Sequence, residues 1–260
     1  MKNNRILALS GNDIFSGGGL AADLATYTLN GLHGFVAMTC LTALTENGFE
    51  VFPTDETIFQ QQLDSLKSVD FGGIKIGLLP TVGVAEKALN FIKERSGVPV
   101  VLDPVLVCKE THDVAVSELC QELIRFFPYV SVITPNLPEA EEIVGFSIHD
   151  PEDMQRAGRL ILKEFGPQSV VIKGGHLEGG AKDFLFTKDE QFVWESPRIQ
   201  TCHTHGTGCT FAAVITAELA KGRSLYQAVD KAKAFITKAI QDAPQLGHGS
   251  GPVNHTTFKD

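Results

Sequence analysis

The sequence contains neither a long apolar stretch nor a cluster of basic residues. No run of about 18 apolar residues, the length that spans a bilayer, occurs in the chain, so we expect no membrane association. Asp and Glu number 31 against 22 Lys and Arg, and a net charge of −9 without a basic patch repels nucleic-acid backbones. The apolar run at residues 6–9 is too brief for a signal peptide. We therefore expect a cytoplasmic protein that binds neither nucleic acid nor membrane.

Cysteine pairs and the familiar phosphate-binding loops are also missing from the sequence. Its five cysteines form an odd set with no CxxC spacing, which is typical of reduced thiols in a cytosol rather than of a disulfide framework. Neither GxxxxGK[ST] nor a GxGxxG after the first apolar run occurs, which argues against P-loop and dinucleotide-binding folds. Each thiol can therefore be core filler or part of a reactive site.

Short apolar runs alternate with helix-length amphipathic segments along the chain. This alternation predicts an α/β fold with a mostly parallel sheet flanked by helices on both faces, in one domain over residues 1–260. Two apolar stretches within 183–194 predict a late hairpin, and the polar tail at 247–260 is expected to be loosely ordered. Strands are expected at 6–10, 35–39, 73–76, 98–102, 130–134 and 170–173, and helices at 55–68, 81–95, 151–165 and 207–221.

The strongest local feature is the segment His-Gly-Thr-Gly-Cys at residues 205–209, directly before an alanine-rich helix. Gly206 and Gly208 let the backbone approach a ligand closely, and free N–H groups at a helix start attract negative charge. Cys209 lies at this positive end, where we expect the pKa of its thiol to fall and a thiolate to act as base or nucleophile. The alternative is a glycine turn that caps the helix beside an inert, buried cysteine.

A second alternative for this segment is a zinc site. Cys202, His203, His205 and Cys209 would be its ligands, and the chain would then be a non-catalytic metal-binding module. The spacing is poor for zinc, because structural zinc sites bring ligands in tight pairs about two to four residues apart.

Two acidic residues follow predicted strands, where ligands of open parallel sheets collect. Asp103 precedes Pro104 at the end of one strand, and Glu139 follows another in the segment that begins at Asn136. Both acids can hold Mg²⁺ or its water shell. Structural roles are also open to them, because Asp caps turns before Pro, Asn is a common helix N-cap, and a first-turn Glu suits the helix dipole.

Glycine-rich segments at two further strand ends are candidates for ligand contacts. Lys173 ends a strand before Gly174 and Gly175, which suits a nucleotide phosphate with close packing of a base or ribose. The loop at 10–19 contains glycines that can admit a ligand ring. The alternative for both segments is a plain turn or loop without a ligand.

Taken in order, these segments resemble the ribokinase-like vitamin kinases, in the branch that contains hydroxymethylpyrimidine kinases and pyridoxal kinases. The resemblance spans nearly the whole chain. It rests on six ordered motifs: Gly17-Gly18-Gly19 with Ala22-Asp23, Lys75-Ile76-Gly77, Asp103-Pro104-Val105, Thr134-Pro135-Asn136-Leu137-Pro138-Glu139-Ala140, Gly174-Gly175, and His205-Gly206-Thr207-Gly208-Cys209. It implies a three-layer ribokinase-like fold, ATP and Mg²⁺ on one side of a cleft, a small heteroaromatic alcohol on the other, and a homodimer.

The resemblance also implies roles by position. Cys209 becomes the general base, and residues 206–209, including Gly206 and Gly208, supply backbone N–H groups to the transferred phosphate. The implied metal site uses Glu139 and Asp103. The implied ATP contacts are Asn136, Lys173, Gly174, Gly175, Asp183, Thr207 and Lys233, and the implied alcohol pocket consists of Gly11, Asp23, Leu78 and Val107.

The choice between the two vitamins depends on Cys108. The segment Val107-Cys108-Lys109 resembles the pyridoxal kinases of Gram-positive bacteria, whereas the hydroxymethylpyrimidine kinases are expected to carry a small residue such as Ala there. A thiolate can add reversibly to the aldehyde of pyridoxal as a hemithioacetal, and hydroxymethylpyrimidine has no aldehyde. Pyridoxal is therefore the expected substrate, and hydroxymethylpyrimidine or its phosphate is the alternative.

Three departures from the family pattern bear on this choice. The first loop reads Gly-Asn-Asp-Ile-Phe-Ser at 11–16, where thiamine-pathway members usually have Gly-Ser-Asp-Ser-Ser. The segment at 45–50 lacks the His expected opposite pyridoxal, and Leu78 replaces a common Met. The specificity for the ring is the property that these differences affect.

Overall fold

A computed structural model describes residues 3–106, 113–175, 180–244 and 251–257, with side chains described from residue 117 onward in the helix that begins at Asp113. Within these ranges the chain alternates strands and helices as the sequence predicts. No helix there combines the length and the apolar character needed to cross a membrane.

An eight-stranded sheet forms the middle of the molecule. Its strand order is β10-β9-β8-β7-β6-β5-β1-β2, in which every neighbouring pair from β8 to β2 is parallel and only β9 runs in the opposite direction, pairing antiparallel with both β8 and β10. Its strands are β1 (Arg5–Ser10), β2 (His33–Met38), β5 (Gly73–Ile76), β6 (Val100–Leu102), β7 (Val132–Ile133), β8 (Ser169–Gly174), β9 (Ala181–Thr187) and β10 (Gln191–Ser196). The predicted sheet and the predicted late hairpin are both confirmed.

Helices cover both faces of the sheet. A large apolar core packs α2 to α6 against one face, and two smaller clusters pack α1, α7 and α8 against the other. The helices are α1 (Gly19–Leu29), α2 (Glu56–Ser65), α3 (Val82–Lys93), α4 (Asp113–Ile124), α5 (Leu137–Val144), α6 (Pro151–Phe165), α7 (Thr207–Ala220) and α8 (Leu225–Gln241). Short 3₁₀ helices lie at Phe127–Tyr129 and His255–Thr257. The predicted three-layer fold is confirmed.

The helix boundaries follow from local chemistry. Helix α6 begins after Asp150, whose carboxylate accepts hydrogen bonds from the N–H groups of Glu152 and Asp153. It ends at Gly166, which has the left-handed conformation (φ 76°) that glycine adopts without steric cost. These two capping residues explain why the predicted range of 151–165 agrees with the observed helix.

Two features differ from the sequence-based expectation. A separate antiparallel hairpin, β3 (Cys40–Thr45) with β4 (Gly48–Pro53), was not predicted, because its short strands carry no clear polar–apolar alternation. The expectation of a loose tail is wrong for residues 251–257. There Val253 is buried, and the backbone N–H of Val253 donates to the carbonyl of His205.

Candidate functional site

The predicted site residues collect along the carboxyl ends of the parallel strands. Asp103 follows β6, Asn136 follows β7, and Lys173 lies near the end of β8, paired with Asp183 of β9 across the antiparallel ladder. Asn136 also forms a bridge with Lys173. Because these strands are adjacent in the sheet, residues far apart in the sequence become neighbours at one edge.

Asp103 and Lys173 form an ion pair at the centre of this edge. The Lys173 Nζ donates to Asp103 Oδ1 at 2.8 Å, and the Thr134 hydroxyl donates to the same oxygen at 3.0 Å. Asp103 is almost fully buried, and Lys173 keeps a small exposed surface. The carboxylate of Asp103 pulls the pKa of Lys173 above its ordinary value despite the opposing effect of burial. The amine therefore stays positively charged.

Glu139 is held beside this pair by a capping box. The Asn136 Oδ1 accepts from the Glu139 N–H at 2.9 Å, and Glu139 Oε2 accepts from the Asn136 N–H at 2.8 Å. Burial raises the pKa of Glu139 to about 7, and the negative charge of Asp103 adds to this effect while Lys173 opposes it. Asp103 and Glu139 are both nearly buried, and the positive charge of Lys173 acts on both of them. Because two carboxylates beside one lysine leave an excess of negative charge, their oxygen atoms fit a Mg²⁺ ion.

Three of the predicted nucleotide residues are linked by direct hydrogen bonds. Gly174 donates its N–H to Asp183 Oδ1 at 2.9 Å, and the Lys233 Nζ donates to Asp183 Oδ2 at 2.6 Å. A Cβ at Gly174 would collide with the carbonyl oxygen of Lys182, so only glycine fits there. Gly175 is exposed, with no atom close to the position of a Cβ. The resemblance implied ATP contacts for Asp183 and Lys233, and the structure adds that these two side chains bind each other.

The glycine-rich start of α7 lies against two other segments. Gly206 has φ 86°, and a Cβ on it would overlap the carbonyl oxygen of Gly17. A Cβ on Gly208 would lie 3.3 Å from Lys173 Nζ and 3.5 Å from Asp103 Oδ2. Thr207 is the first residue of the helix and is half-buried. The Thr207 N–H donates to the carbonyl oxygen of Thr204 at 3.3 Å. The next N–H groups of the first turn are brought to the Asp103–Lys173 pair, which suits an anionic group that is being transferred.

Cys209 lies in the first turn of α7 and is half-buried. The expectation that its pKa falls at the helix start is wrong for this structure. Burial raises the pKa of the thiol, the carboxylates of Asp103 and Asp23 add to the rise, and Lys75 opposes them. The physical cause is that the helix dipole favours the thiolate, but burial of the sulfur disfavours the charged form more strongly.

The loop between β1 and α1 is held against the start of α7 by hydrogen bonds. Asp13 Oδ2 lies 2.6 Å from His205 Nε2 and accepts from the Gly18 N–H at 2.6 Å. A Cβ on Gly18 would be 3.4 Å from the sulfur of Cys209. The hydrogen bond to Asp13 raises the pKa of His205, and the pKa of Asp13 is lowered because its hydrogen bonds outweigh the opposing effect of burial.

The predicted alcohol pocket is only partly assembled from the named residues. Gly11 is buried, and a Cβ on it would overlap the sulfur of Cys40; the half-buried Leu78 accepts at its carbonyl from the Thr39 hydroxyl at 2.7 Å. Asp23 departs from its predicted place, because it has no exposed surface and binds Lys75 instead of lining an open wall. Val107 and Cys108 lie outside the described residues.

The alternative zinc site is not supported. The imidazole Nδ1 of His203 accepts from the N–H of Gly251 at 3.1 Å, and His205 is bound to Asp13. Over the described ranges, no group of three or more His, Cys, Asp or Glu side chains is arranged to hold a metal ion. Cys202 and Cys209 are both within those ranges. The four residues therefore do not converge on one point.

Two elements of the site were not assigned a role from sequence. One is the ion pair between Asp13 and His205, and the other is the ion pair between Lys75 and Asp23. The second had a usable signal, because a lysine between Ile74 and Ile76 in a buried strand needs an anionic partner. The first had none, since a single Asp in a glycine-rich loop has many possible partners.

Comparisons with known proteins cover nearly the whole chain. The phosphomethylpyrimidine kinase family matches residues 13–254. A hydroxymethylpyrimidine/phosphomethylpyrimidine kinase of Staphylococcus aureus (strain MRSA252) is 40% identical over 257 residues, which make up 97% of this chain and 93% of that protein. An ADP complex of Bacillus subtilis pyridoxal kinase superposes with a TM-score of 0.91 at 38% identity and 97% coverage of both chains. The pyridoxal kinase of Staphylococcus aureus with AMP-PCP and pyridoxal gives a TM-score of 0.91 at 31% identity, covering 98% of this chain and 94% of that one.

Proposed function

Since this chain belongs to the phosphomethylpyrimidine kinase family, whose members are ATP-dependent phosphotransferases acting on alcohol groups of vitamin precursors, we propose that its own substrate is pyridoxal. The sequence-based predictions of family and of enzyme class are confirmed. In the proposed reaction the 5′-hydroxymethyl group of pyridoxal receives the γ-phosphate of ATP, and the cellular role is salvage of vitamin B6. The observation that carries the kinase chemistry is the placement of Cys209 and the N–H groups of α7 beside the Asp103–Lys173 pair.

In this proposal Cys209 is the general base. Its thiolate accepts the proton of the substrate hydroxyl while the hydroxyl oxygen attacks the γ-phosphorus and ADP departs. The N–H groups at 206–209 stabilise the charge on the transferred group, and Lys173 adds a fixed positive charge from the β8 side. Most of the rate enhancement then comes from positioning and charge stabilisation.

Asn136, Gly174, Gly175, Thr207 and Lys233 are proposed to bind ATP. The Asn136 Oδ1 is used by the capping box, so its amide nitrogen is the atom that can donate to a phosphate. Asp183 would contribute by fixing the amine of Lys233 through its 2.6 Å contact.

Asp103 and Glu139 are the residues that would hold Mg²⁺. The ion, when bound, neutralises charge on the phosphate oxygens. Glu139 is already oriented by its contact with the Asn136 N–H, and Asp103 by the Thr134 hydroxyl, so both carboxylates are preorganised.

Pyridoxal is favoured over the thiamine precursor by the cysteine at position 108. A thiolate there can form a hemithioacetal with the aldehyde and hold the ring while Cys209 acts on the hydroxymethyl group. The alternative, a hydroxymethylpyrimidine or phosphomethylpyrimidine kinase, is supported by the similarity to the Staphylococcus aureus enzyme of that name. Measuring kcat/KM for both alcohols on one preparation decides between them.

Two variants test the roles of the cysteines. We expect Cys209→Ala to lose about 10²-fold or more in kcat with every alcohol, because general-base catalysis contributes on that scale. Cys108→Ala is expected to lower kcat/KM for pyridoxal much more than for pyridoxine, which has no aldehyde and so serves as the matched control. Equal losses on pyridoxal and pyridoxine would contradict the hemithioacetal role, and full activity of Cys209→Ala would contradict the base.

A homodimer and a cytoplasmic location complete the proposal. The β3–β4 hairpin exposes two cross-strand apolar pairs, Leu41 opposite Phe52 and Leu44 opposite Phe49. Apolar side chains of this size on a two-stranded sheet are better stabilised when a second chain covers them. The described cysteines form no disulfide with one another, which agrees with a reducing compartment.

A further inference from the structure

A polar group lies inside an apolar layer between the sheet and two helices. In β1, Ile6 and Ala8 face the same side and pack with Tyr27 of α1 and Ala213 of α7. Ala8 is paired in register with Lys75 of the neighbouring strand β5. Paired residues of adjacent strands project to the same face. The Lys75 side chain therefore enters the layer that α1 and α7 cover.

Cys209 faces the same layer. It precedes Ala213 by one helical turn on α7, and Ala217 follows by another, so the three side chains form one stripe along the helix. Ala213 and Ala217 both belong to the cluster that contains Ile6 and Ala8. Across this layer the positive charge of Lys75 lowers the pKa of Cys209, and the thiolate of Cys209 raises the pKa of Lys75. The strand and the helix thus bring an amine and a thiol to the same buried region.

The amine of Lys75 is fully buried with a single carboxylate. Its Nζ donates to both oxygens of Asp23, at 2.8 and 2.9 Å, and neither side chain has any exposed surface. Although burial favours the neutral amine, the Asp23 carboxylate holds the pKa of Lys75 above its ordinary value. A buried ion pair contributes little net stability compared with apolar residues of the same shape. Its cost in an apolar layer points to a role other than folding.

The same layer holds a hydroxyl group that can donate a hydrogen bond to an anion. The Tyr27 hydroxyl is buried and meets no hydrogen-bond partner within the described part of the chain. The charges that act on it are those of Asp23 and Cys209. Its free O–H is thus near the two groups that carry negative charge in this layer.

We propose that Lys75 is a positioning residue whose buried positive charge stabilises the thiolate of Cys209, with Asp23 limiting the strength of that effect. The inference rests on the proposed role of Cys209 as base. It supplies what that role requires, because burial of Cys209 disfavours the thiolate and Lys75 is the group that most strongly opposes the burial effect. Lys75 acts through Cys209, with no contact to the substrate.

Other groups also face Cys209 and set its balance of charge. Asp23 and Asp103 disfavour the thiolate, Lys173 favours it, and the N–H groups at the start of α7 favour it as well. Asp103, Lys173 and the N–H groups of α7 remain unchanged when Lys75 alone is replaced, whereas the buried Asp23 loses its ion-pair partner and is expected to take up a proton. A rise of the midpoint in the Lys75 variant therefore shows that the loss of its positive charge outweighs the protonation of Asp23.

The test measures thiolate formation directly, without substrate. The rate of Cys209 alkylation by iodoacetamide is followed against pH by site-resolved mass spectrometry, in a Cys202→Ser background that removes the nearby exposed thiol. We expect Lys75→Met to move the midpoint up by about one pH unit, a roughly tenfold slower reaction below the midpoint. Asp23→Asn, which leaves the amine without its carboxylate, is expected to move the midpoint down.

Opposite shifts are the result that a merely structural role does not produce. Lys87→Met is the matched control, because Lys87 forms an ion pair with Glu56 far more exposed than that of Lys75. If Lys75→Met does not fold, the double variant Asp23→Asn/Lys75→Met removes both buried charges, and its midpoint is still expected above that of the wild type. Unchanged midpoints, or shifts in the same direction for both single variants, would overturn the proposal.

The outcome is separable from the proposed activity. Alkylation of the free protein requires neither ATP nor an alcohol, so a failure to phosphorylate pyridoxal leaves the measured midpoints unaffected. Conversely, an active pyridoxal kinase with identical midpoints in all variants contradicts only the role of Lys75.

Discussion

At the scale of single residues, Asp13 and His205 connect the first loop to the start of helix α7. Their side chains meet at 2.6 Å, although 192 positions separate them in the sequence. Asp13 also holds the N–H of Gly18, which packs against Cys209. Loosening this contact would let the loop move away from Cys209, the proposed base. The pair therefore links the loop before α1 to the glycine-rich start of α7.

The stabilisation from this pair should depend on pH. His205 has a raised pKa in the folded protein, so its contribution is complete below the ordinary histidine value of about 6.5 and declines as the pH rises through the folded value. Asp13 has a lowered pKa, so its contribution is lost only in strong acid. We expect His205→Gln to lower the free energy of unfolding by about 1 kcal/mol at pH 6, because the imidazole is partly exposed, and by less at pH 9.

Urea unfolding of the wild type and His205→Gln at both pH values checks this prediction. His203→Gln serves as the control, because His203 contacts the Gly251 N–H and no carboxylate partner is recorded for it within the described residues. An equal effect of His205→Gln at pH 6 and pH 9 would show that the charge on His205 has no part in holding the loop.

At the scale of elements, helix α5 combines a structural cap with a candidate nucleotide contact. Asn136 closes a capping box with Glu139, and it forms the bridge to Lys173 on β8. The sequence leaves both capping and ligand binding open for Asn136. In the structure the cap uses only the amide oxygen of the side chain, so the cap and the proposed nucleotide contact are compatible.

Two substitutions separate the cap from the nucleotide contact. Asn136→Ala should lower the free energy of unfolding by about 1 kcal/mol, whereas Asn136→Ser, which can still cap the helix, should cost only a few tenths. Both variants lack the amide nitrogen, so both are expected to raise KM for ATP several-fold. Thermal unfolding and steady-state kinetics give the two readouts. A normal KM for ATP in Asn136→Ser would remove Asn136 from the nucleotide site.

At the scale of the whole molecule, the β3–β4 hairpin is the part most in need of a partner. Leu44 is 67% exposed on this hairpin, and Phe49 lies opposite it. We expect the wild type to be a dimer by light scattering and Leu44→Asp to be a monomer, because a buried carboxylate at an apolar interface is costly. Val193→Asp, at a strand position that is 54% exposed outside the hairpin, should remain dimeric. A monomeric wild type would contradict the homodimer.

The fold was largely predictable from the sequence because its signals are local. The runs that became β5 and β8, and the capped helix α6, are recognised from apolar periodicity and from Gly or Asp at the ends. The β3–β4 hairpin was missed because its strands rest on no large core that would impose a pattern. The composition of the tail predicts a loose segment at 251–257, because it does not reveal that Val253 packs against α7 and α8.

The candidate site divides in the same way. The sequence by itself identified the family, the kinase chemistry and most residues at the strand ends, since the order of motifs and the strand-end rule need no coordinates. Only the tertiary structure decided that Asp23 binds Lys75, 52 positions away, and that the pKa of Cys209 is raised. The physical reason is that both depend on burial. Burial is set jointly by β1, β5, α1 and α7, which are distant in the sequence and meet only in the folded protein.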